Sequence, residues 1–224
     1  MTKVYLSGSE SINNEIKEFL NGKAEFTENP EEAGIIFNTT NYPEYEKSEE
    51  LQYIESVTPD TIPIFTSSLC VSVSEQCRLQ AHPARLIGIG LYDTFSKAKR
   101  IEIAPSKITD AAILKNAENF LSEAGVNYSV VPDRVGLIFP RIVSMIINEA
   151  AQVYSEQIAS KEDIDTAMKL GTNYPFGPLE WADRLGVELV YNILAALQRD
   201  FGEDRYRPHP LLKEMANLNK RFYE

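Results

Sequence analysis

The sequence is poor in cysteine and in basic charge, and each shortage excludes a class of protein. Its only two cysteines, Cys70 and Cys77, have no CxxC spacing and no second Cys or His pair, which excludes a zinc-finger site and a disulfide framework. The 22 Lys and Arg residues are outnumbered by 33 Asp and Glu, giving a net charge of −11. Such a charge repels phosphate backbones. The densest basic cluster, Lys97, Lys99 and Arg100, is too short for a duplex, so we expect no nucleic-acid partner.

The sequence also lacks a long apolar run. No run approaches the roughly 18–20 residues that a membrane-spanning helix needs, and the first residues lack the basic-then-apolar order of a signal peptide. We therefore expect a cytoplasmic protein without a membrane partner. The hydrophobic content of 43% is that of a folded chain with one large domain or two small ones.

Short apolar runs alternate with amphipathic stretches over the first 130 residues. The runs predict strands and the stretches predict helices, a pattern that favours a mostly parallel, helix-covered sheet like those of dinucleotide-binding folds. Arg100–Ala104 alternates in polarity, so we predict an edge or antiparallel strand there. The other predicted strands are Lys3–Leu6, Gly34–Asn38, Thr61–Thr66, Arg85–Ile89 and Tyr128–Val131, and the helices are Ser11–Leu20, Ser48–Val57 and Asp110–Ala124.

From about Gly136 the pattern becomes purely helical. Ile138–Glu156 has apolar residues at spacings of three and four, and Ser160 begins a capping box for a helix that Gly171 is predicted to end. Two more helices are predicted at Leu179–Leu185 and Val187–Phe201. The sequence therefore predicts an α/β domain at residues 1–132 and an all-α domain at residues 133–224.

A series of motifs in the helical half occurs in order and without gaps: Asn148-Glu149-Ala150, Glu162-Asp163-Ile164-Asp165, Gly171, Tyr174-Pro175-Phe176-Gly177-Pro178, Asp183 and Gly186. These motifs resemble the C-terminal helical domain of 3-hydroxyacyl-CoA dehydrogenases. Because this family pairs through these helices, the resemblance implies a homodimer.

The N-terminal half resembles the same family more loosely. Gly34–Asn38 matches its Asp-Leu-Val-Ile-Glu strand, and Thr66–Leu69 matches its Asn-Thr-Ser-Ser-Leu segment. Arg85–Ile103 aligns with the segment that carries the catalytic histidine and glutamate, and Asp133–Arg141 aligns with Asp-Ser-Pro-Gly-Phe-Val-Val-Asn-Arg. The resemblance implies a shortened Rossmann-like domain followed by a helical dimerisation domain.

In this family, hydride passes between C3 of a 3-hydroxyacyl-CoA and the nicotinamide of NAD. A histidine acts as general base, and a glutamate orients it. The resemblance places Glu102 at the glutamate and Ser67 at a serine near the substrate oxygen. It places Gly90 at the histidine and Pro140 at a substrate-holding asparagine, and neither residue can take over these roles. It therefore implies that redox activity is lost.

The cofactor turn is also incomplete. A dinucleotide fold needs G-x-G-x-x-G after its first strand, so that the pyrophosphate can approach a helix N-terminus. Only Gly8 is kept, because Glu10 and Asn13 stand at the second and third glycines. The expected downstream acidic residue has only Glu25 and Glu28 as candidates, and the segment between the first strands is too short for the family's full βα unit. We expect no cofactor and a vestigial Gly8.

Three functions remain open at this point. One is a family member without redox activity that binds an acyl-CoA or another ligand between its domains, with Lys97, Lys99 and Arg100 near the CoA phosphates. Another is an active NAD-dependent 3-hydroxyacyl-CoA dehydrogenase in which His82 or an imported group is the base. The last is a non-enzymatic dimeric interaction module.

Two retained residues also have structural alternatives. Ser67 follows a predicted strand, where serine often caps a helix, and Glu102 on an alternating strand can face solvent. The two histidines, His82 and His209, are expected in surface loops.

Overall fold

The computed structural model describes residues 1–98 and 100–223, which form two compact units that divide between Leu137 and Ile138. The sequence pattern places this boundary earlier, after residue 132. Residues 133–137 belong to the first unit because backbone hydrogen bonds hold this segment there. The Val131 N–H donates to the Ile103 carbonyl oxygen (2.9 Å), and the Gly136 N–H donates to the Leu69 carbonyl oxygen (3.0 Å).

Where the structure describes the first unit, it contains one continuous sheet of seven strands: β1 (Lys3–Ser7), β2 (Glu25–Thr27), β3 (Ile35–Asn38), β4 (Ile64–Ser67), β5 (Leu86–Ile89), β6 (Ile101–Pro105) and β7 (Tyr128–Val130). Their order across the sheet is β2-β1-β3-β4-β5-β6-β7. Every neighbouring pair is parallel except β5 and β6. The predicted Rossmann-like class is confirmed.

The strand predicted at Arg100–Ala104 corresponds to β6. It is antiparallel to β5, as predicted. The alternative that it forms an edge is wrong, because the three-residue β7 pairs with its outer side. Ile101 and Ile103 are buried while Glu102 is half-buried, so the alternation in polarity reflects two unequal faces of an interior strand.

The described residues of this unit form four α-helices: α1 (Glu10–Phe19), α2 (Glu44–Val57), α3 (Val73–Gln76) and α4 (Ala111–Glu123). Successive strand residues point to opposite faces. On one face Ile36 lies in a core cluster with Leu51 and Ile54 of α2. On the other face the Phe37 ring meets the Phe120 ring of α4 at 6.3 Å between centroids. Helices therefore cover both faces of the sheet, and loops lie at the ends of the strands.

The second unit contains five helices among the described residues: α5 (Phe139–Ser155), α6 (Lys161–Thr172), α7 (Pro178–Leu185), α8 (Val187–Phe201) and α9 (Pro210–Asn217). The described part of this unit has no strand, which confirms the all-α prediction. No helix among residues 1–98 and 100–223 combines the length and the apolar character needed to cross a membrane.

The start of α6 is predicted well and its end is not. The Ser160 hydroxyl accepts the Asp163 N–H (3.1 Å), as the capping box predicts. The prediction that Gly171 ends this helix is wrong, because α6 continues to Thr172. Glycine costs about 1 kcal/mol in a helix but breaks no hydrogen bond. The left-handed residue that follows the helix is Asn173, at a φ of 56°.

The buried Asp165 joins α6, α7 and the C-terminal segment. Its carboxylate accepts the backbone N–H groups of Leu179 (2.8 Å) and Glu180 (3.0 Å) in the first turn of α7, and also the Tyr223 hydroxyl (2.8 Å). A Cβ at Gly177 would overlap Asp165. The glycine therefore lets the carboxylate cap α7 from close range.

Candidate functional site

The carboxyl ends of β1, β3, β4 and β5 meet at one edge of the sheet. Ligands of open α/β folds bind at this edge, near the point where the strand order reverses. In this sheet the reversal lies between β1 and β3. The segments that follow these strands contain Gly8, Thr39–Asn41, Ser68 and Gly90. The candidate site is therefore built from these four segments.

Gly90 lies opposite Glu102 at this edge. Ile89 pairs with Ile103 across β5 and β6, and the Gly90 N–H donates to the Glu102 carbonyl oxygen (3.0 Å). Opposite residues of an antiparallel pair share one face of a sheet. A side chain at residue 90 would therefore lie beside Glu102, so the positions implied for the histidine and glutamate come together. Residue 90 itself supplies no titratable group.

Tyr92 follows Gly90 and carries a phenol that stays protonated at neutral pH. Burial raises the pKa of Tyr92, and the negative charges of Glu102 and Glu15 raise it further. Glu102 thus shares its surroundings with a neutral hydroxyl rather than with an imidazole.

Ser67 is buried at the end of β4. Its hydroxyl donates to the Asn41 side-chain oxygen, and the Asn41 amide donates to the Leu91 carbonyl oxygen (3.2 Å). The helix-cap alternative for Ser67 is wrong, because Ser72 caps α3 by accepting the Glu75 N–H (3.2 Å). Ser67 and Asn41 link the segments after β3, β4 and β5.

The turn after β1 packs against the segment that follows β3. Gly8 has a φ of 95°, and a Cβ there would lie 2.6 Å from the Thr40 backbone nitrogen. The Thr39 N–H and hydroxyl both donate to the Ser7 carbonyl oxygen (2.9 and 2.7 Å). The close approach that glycine permits is thus taken by the segment after β3. In a dinucleotide fold the first glycine makes the tight turn and the second lets the pyrophosphate approach, and here Glu10 stands at the second.

Carboxylates surround the beginning of α1. Glu10 lies in the first turn and Asp93 accepts the Ser11 hydroxyl (2.6 Å), whereas Glu15, in the second turn, accepts the Thr94 N–H (2.8 Å). A helix N-terminus favours anions, and here the protein's own carboxylates supply that charge. They would repel a pyrophosphate. The residues at this turn do not fit a dinucleotide cofactor.

Each of the two histidines contacts residues outside the four segments that form the candidate site. His82 precedes β5 whereas Gly90 follows it, and the four-residue strand between them is itself about 13 Å long. The His82 ring is exposed, with Nδ1 3.9 Å from a carboxylate oxygen of Asp60. In the second unit, Nδ1 of His209 accepts the Leu211 N–H (3.2 Å) at the start of α9.

Of the other candidate residues, two are exposed, one is buried in the second unit and one lies outside the described residues. Lys97 and Arg100 are exposed just before β6, where Arg100 donates to the Ser129 hydroxyl (3.1 Å), and Lys99 lies outside the described residues. Pro140 is buried in the first turn of α5, in the second unit. Within residues 1–98 and 100–223, no three His, Cys, Asp or Glu side chains are grouped to hold a metal ion.

A buried lysine near the same edge was not identified from the sequence. Lys47 of α2 is 1% exposed, and its Nζ donates to the Asn38 side-chain oxygen (2.7 Å) and the Thr40 carbonyl oxygen (2.8 Å). The Asn38 amide donates in turn to Glu50 (2.5 Å). Burial lowers the pKa of Lys47 to about 7, although the Glu50 charge opposes the shift.

Comparisons with known proteins identify relatives of both halves. Residues 136–221 match the family model described as the 3-hydroxyacyl-CoA dehydrogenase C-terminal domain. The chain is 40% identical over 120 residues to the 3-hydroxyadipyl-CoA dehydrogenase of Escherichia coli K12, covering 54% of this chain and 25% of that one. It is 33% identical over 165 residues to the 3-hydroxybutyryl-CoA dehydrogenase of Clostridioides difficile, covering 72% of this chain and 57% of that one. The matches thus span less than two thirds of these relatives.

Solved structures share the fold. M. tuberculosis FadB2 superposes with a TM-score of 0.82 at 19% identity, covering 98% of this chain and 89% of that one. The (S)-3-hydroxybutyryl-CoA dehydrogenase PaaH1 from Ralstonia eutropha superposes with a TM-score of 0.79 at 19% identity, covering 98% and 94%.

Proposed function

Because the chain belongs to the 3-hydroxyacyl-CoA dehydrogenase family, we propose that it is a member that has lost NAD-dependent hydride transfer and binds an acyl-CoA thioester. The observation that carries the proposal is the position of Gly90 opposite Glu102. A general base contributes about 10²–10⁴-fold to a rate and must lie within hydrogen-bond reach of its proton. Glycine provides no base, and His82 lies at the other end of β5.

The turn after β1 supports the same proposal. Glu10 stands where a second glycine would let a pyrophosphate approach, and Asp93 brings a negative charge to the same helix end. An active dehydrogenase would need a base and an anion site that these residues do not supply. The active-enzyme alternative is therefore disfavoured.

Exposed cations support the thioester part of the proposal. Lys97 and Arg100 lie beside the Glu102 end of β6, at the same sheet edge as Gly90. Cations at such an edge suit the phosphates of a CoA group. Although the histidine position is Gly90, this edge of the sheet thus keeps polar groups that an acyl-CoA could contact.

Titration with NADH tests the loss of redox activity. We expect no change in cofactor fluorescence up to millimolar NADH and no oxidation of NADH by acetoacetyl-CoA, with the C. difficile relative as positive control for the assay. Micromolar NADH binding, or turnover that Glu102→Gln abolishes, would contradict the proposal. That result would favour the active dehydrogenase.

Thermal unfolding tests the thioester site in the same preparation. Acetoacetyl-CoA at 100 times its Kd is expected to raise Tm by roughly 5–10 °C, whereas NAD leaves Tm unchanged. Lys97→Ala with Arg100→Ala is expected to reduce the shift. Lys107→Ala, an exposed position beyond the far end of β6, is the matched control. No shift with either ligand would favour the interaction module instead.

Apolar side chains exposed on the second unit support a homodimer. Ile142 of α5 is 54% exposed. Ile142→Glu is expected to raise the dimer Kd by about 100-fold or more, because two charges would enter the interface. Light scattering over a concentration series measures this change, with Gln152→Glu on the same helix as control. A wild-type chain that stays monomeric at high concentration would refute the dimer.

A further inference from the structure

The outward face of α2 carries aromatic rings in a row. Tyr45, Glu49 and Tyr53 follow each other at intervals of four residues, so they lie on one side of the helix, about 6 Å apart along its axis. The two tyrosines are 65% and 55% exposed. Leu51 and Ile54, on the other side of the helix, belong to the core cluster. We call Tyr45, Glu49 and Tyr53 the tyrosine stripe.

The exposure of this stripe suits a protein partner. Single apolar residues on a surface are normal and need no explanation. Here two rings are aligned, and a third exposed tyrosine, Tyr42, lies just before the helix at 52% exposure. Tyrosine is enriched at protein–protein interfaces because its ring buries a large area and its hydroxyl forms hydrogen bonds. The outward face of α2 is therefore a candidate docking surface.

The charge of the surrounding segment indicates the chemistry of the partner. Residues 25–57 contain nine glutamates and one lysine, which gives a net charge of −8 out of −11 for the whole chain. The lysine, Lys47, is buried, and its Nζ donates to groups in residues 38–40. On the neighbouring strand β1, Lys3 pairs with Glu32 and offsets one of these charges. The large acidic excess that remains attracts a basic partner and repels an acidic one.

Carboxylates lie beside the rings of the tyrosine stripe. The Tyr45 hydroxyl donates to a carboxylate oxygen of Glu46 (3.0 Å). This hydrogen bond and the charges of Glu46 and Glu49 raise the pKa of Tyr45. A guanidinium can stack on an aromatic ring and donate to a carboxylate with its planar N–H groups, whereas an ammonium is a compact point charge. The stripe thus offers arginine two kinds of contact side by side.

The spacing of the stripe fits an extended chain. Alternate side chains of an extended segment point to one side at intervals of about 6.6 Å. This interval is close to the ~6 Å between successive residues of the stripe. Arginines at alternate positions of such a segment therefore match Tyr45, Glu49 and Tyr53 in turn. A free polyamine has neither this register nor a planar group.

We propose that the tyrosine stripe and the neighbouring glutamates of α2 form a docking surface for an arginine-rich extended segment of a partner protein. The arginines stack on the rings of Tyr45 and Tyr53 and donate hydrogen bonds to Glu46 and Glu49. The surface belongs to the first unit and shares no residue with the four segments of the candidate site. This inference is therefore independent of acyl-CoA binding.

Calorimetric titration with a synthetic peptide tests the proposal. The probe is an eight-residue peptide of alternating arginine and alanine, and we expect it to bind the full chain at low salt and more weakly at high salt. The same peptide with lysine in place of arginine has the same charge and is expected to bind about fivefold more weakly, because it lacks the planar group. Spermine is expected to bind more weakly still. Equal binding of the two peptides, or no binding of the arginine peptide at low salt, would overturn the proposal.

Matched variants separate the rings from the charge. Tyr45→Ala with Tyr53→Ala is expected to weaken binding of the arginine peptide about fivefold or more, whereas Tyr174→Ala, at an exposed tyrosine of the second unit, leaves it unchanged. Glu49→Gln is expected to weaken binding, whereas Glu188→Gln, the same charge change at an exposed position of α8, has no effect. Wild-type affinity in the double tyrosine variant would show attraction to net charge alone and refute the docking surface.

Light scattering without peptide tests the other possible occupant, a second copy of this chain. We expect the wild type and the double variant Tyr45→Ala, Tyr53→Ala to have the same molar mass over a concentration series. A self-association that the double variant abolishes would assign the tyrosine stripe to contacts between copies and overturn the proposal.

Discussion

Replacement of Gly8 by alanine is expected to lower the free energy of unfolding by about 2–5 kcal/mol. A left-handed conformation costs an ordinary residue about 1–2 kcal/mol, and overpacking adds about 1–3 kcal/mol. Both apply, because Gly8 has a φ of 95° and its Cβ would lie 2.6 Å from the Thr40 nitrogen, which is backbone and cannot rotate away. Urea unfolding measures the loss, and a thermal scan should show a fall in Tm of about 2–4 °C per kcal/mol.

Gly22→Ala separates the two contributions. Gly22 also has a positive φ, 73°, but nothing lies within 4 Å of its Cβ position. It should therefore show only the conformational cost of about 1–2 kcal/mol. Equal losses for the two variants would contradict the close packing of Gly8 against Thr40.

Asp165→Ala is expected to destabilise the second unit by about 3–5 kcal/mol. The carboxylate is buried and accepts three hydrogen bonds, from two backbone N–H groups of α7 and from Tyr223. Removing it leaves those donors unpaired in a buried place and opens a small cavity. Urea unfolding followed by far-UV circular dichroism, which reports on the helices, measures the effect.

Asp163→Ala is the matched control on the same helix. Asp163 is exposed and its side chain accepts the Ser160 hydroxyl (2.7 Å), so the expected loss is about 1 kcal/mol or less. Tyr223→Phe removes one of the three hydrogen bonds to Asp165 and should cost about 1 kcal/mol. If Asp165→Ala were as mild as Asp163→Ala, the capping role of Asp165 would be refuted.

Local sequence patterns predicted most helices and strands, because the formation of these elements depends mainly on residues close together in the sequence. Val187–Phe201 is helical over the whole predicted range, bounded by Gly186 and Gly202. The end of α6 and the placement of β6 inside the sheet depended on information that is not local. Asn173 rather than Gly171 takes the left-handed conformation, and β7 covers a strand whose alternating pattern also fits an edge.

The candidate site could be predicted only in part. The opposition of Gly90 and Glu102 follows from an alignment in register with a β pair. The contacts of Asp93 with Ser11 and of Glu15 with Thr94 join residues about 80 apart, and no spacing rule indicates them. The burial of Lys47, in contrast, is predictable from its position in α2. It lies four residues before Leu51, which is the spacing of the buried face of α2.

The two outer strands of the sheet have a consequence for aggregation. An exposed strand edge can template pairing with another molecule, and very short edge strands limit this hazard. Here both borders, β2 and β7, are three residues long, so each offers a foreign strand only a few backbone hydrogen bonds. The short edge strands thereby limit edge-to-edge pairing between sheets. Copies of the chain that associate are expected to do so through side-chain contacts instead of shared strands.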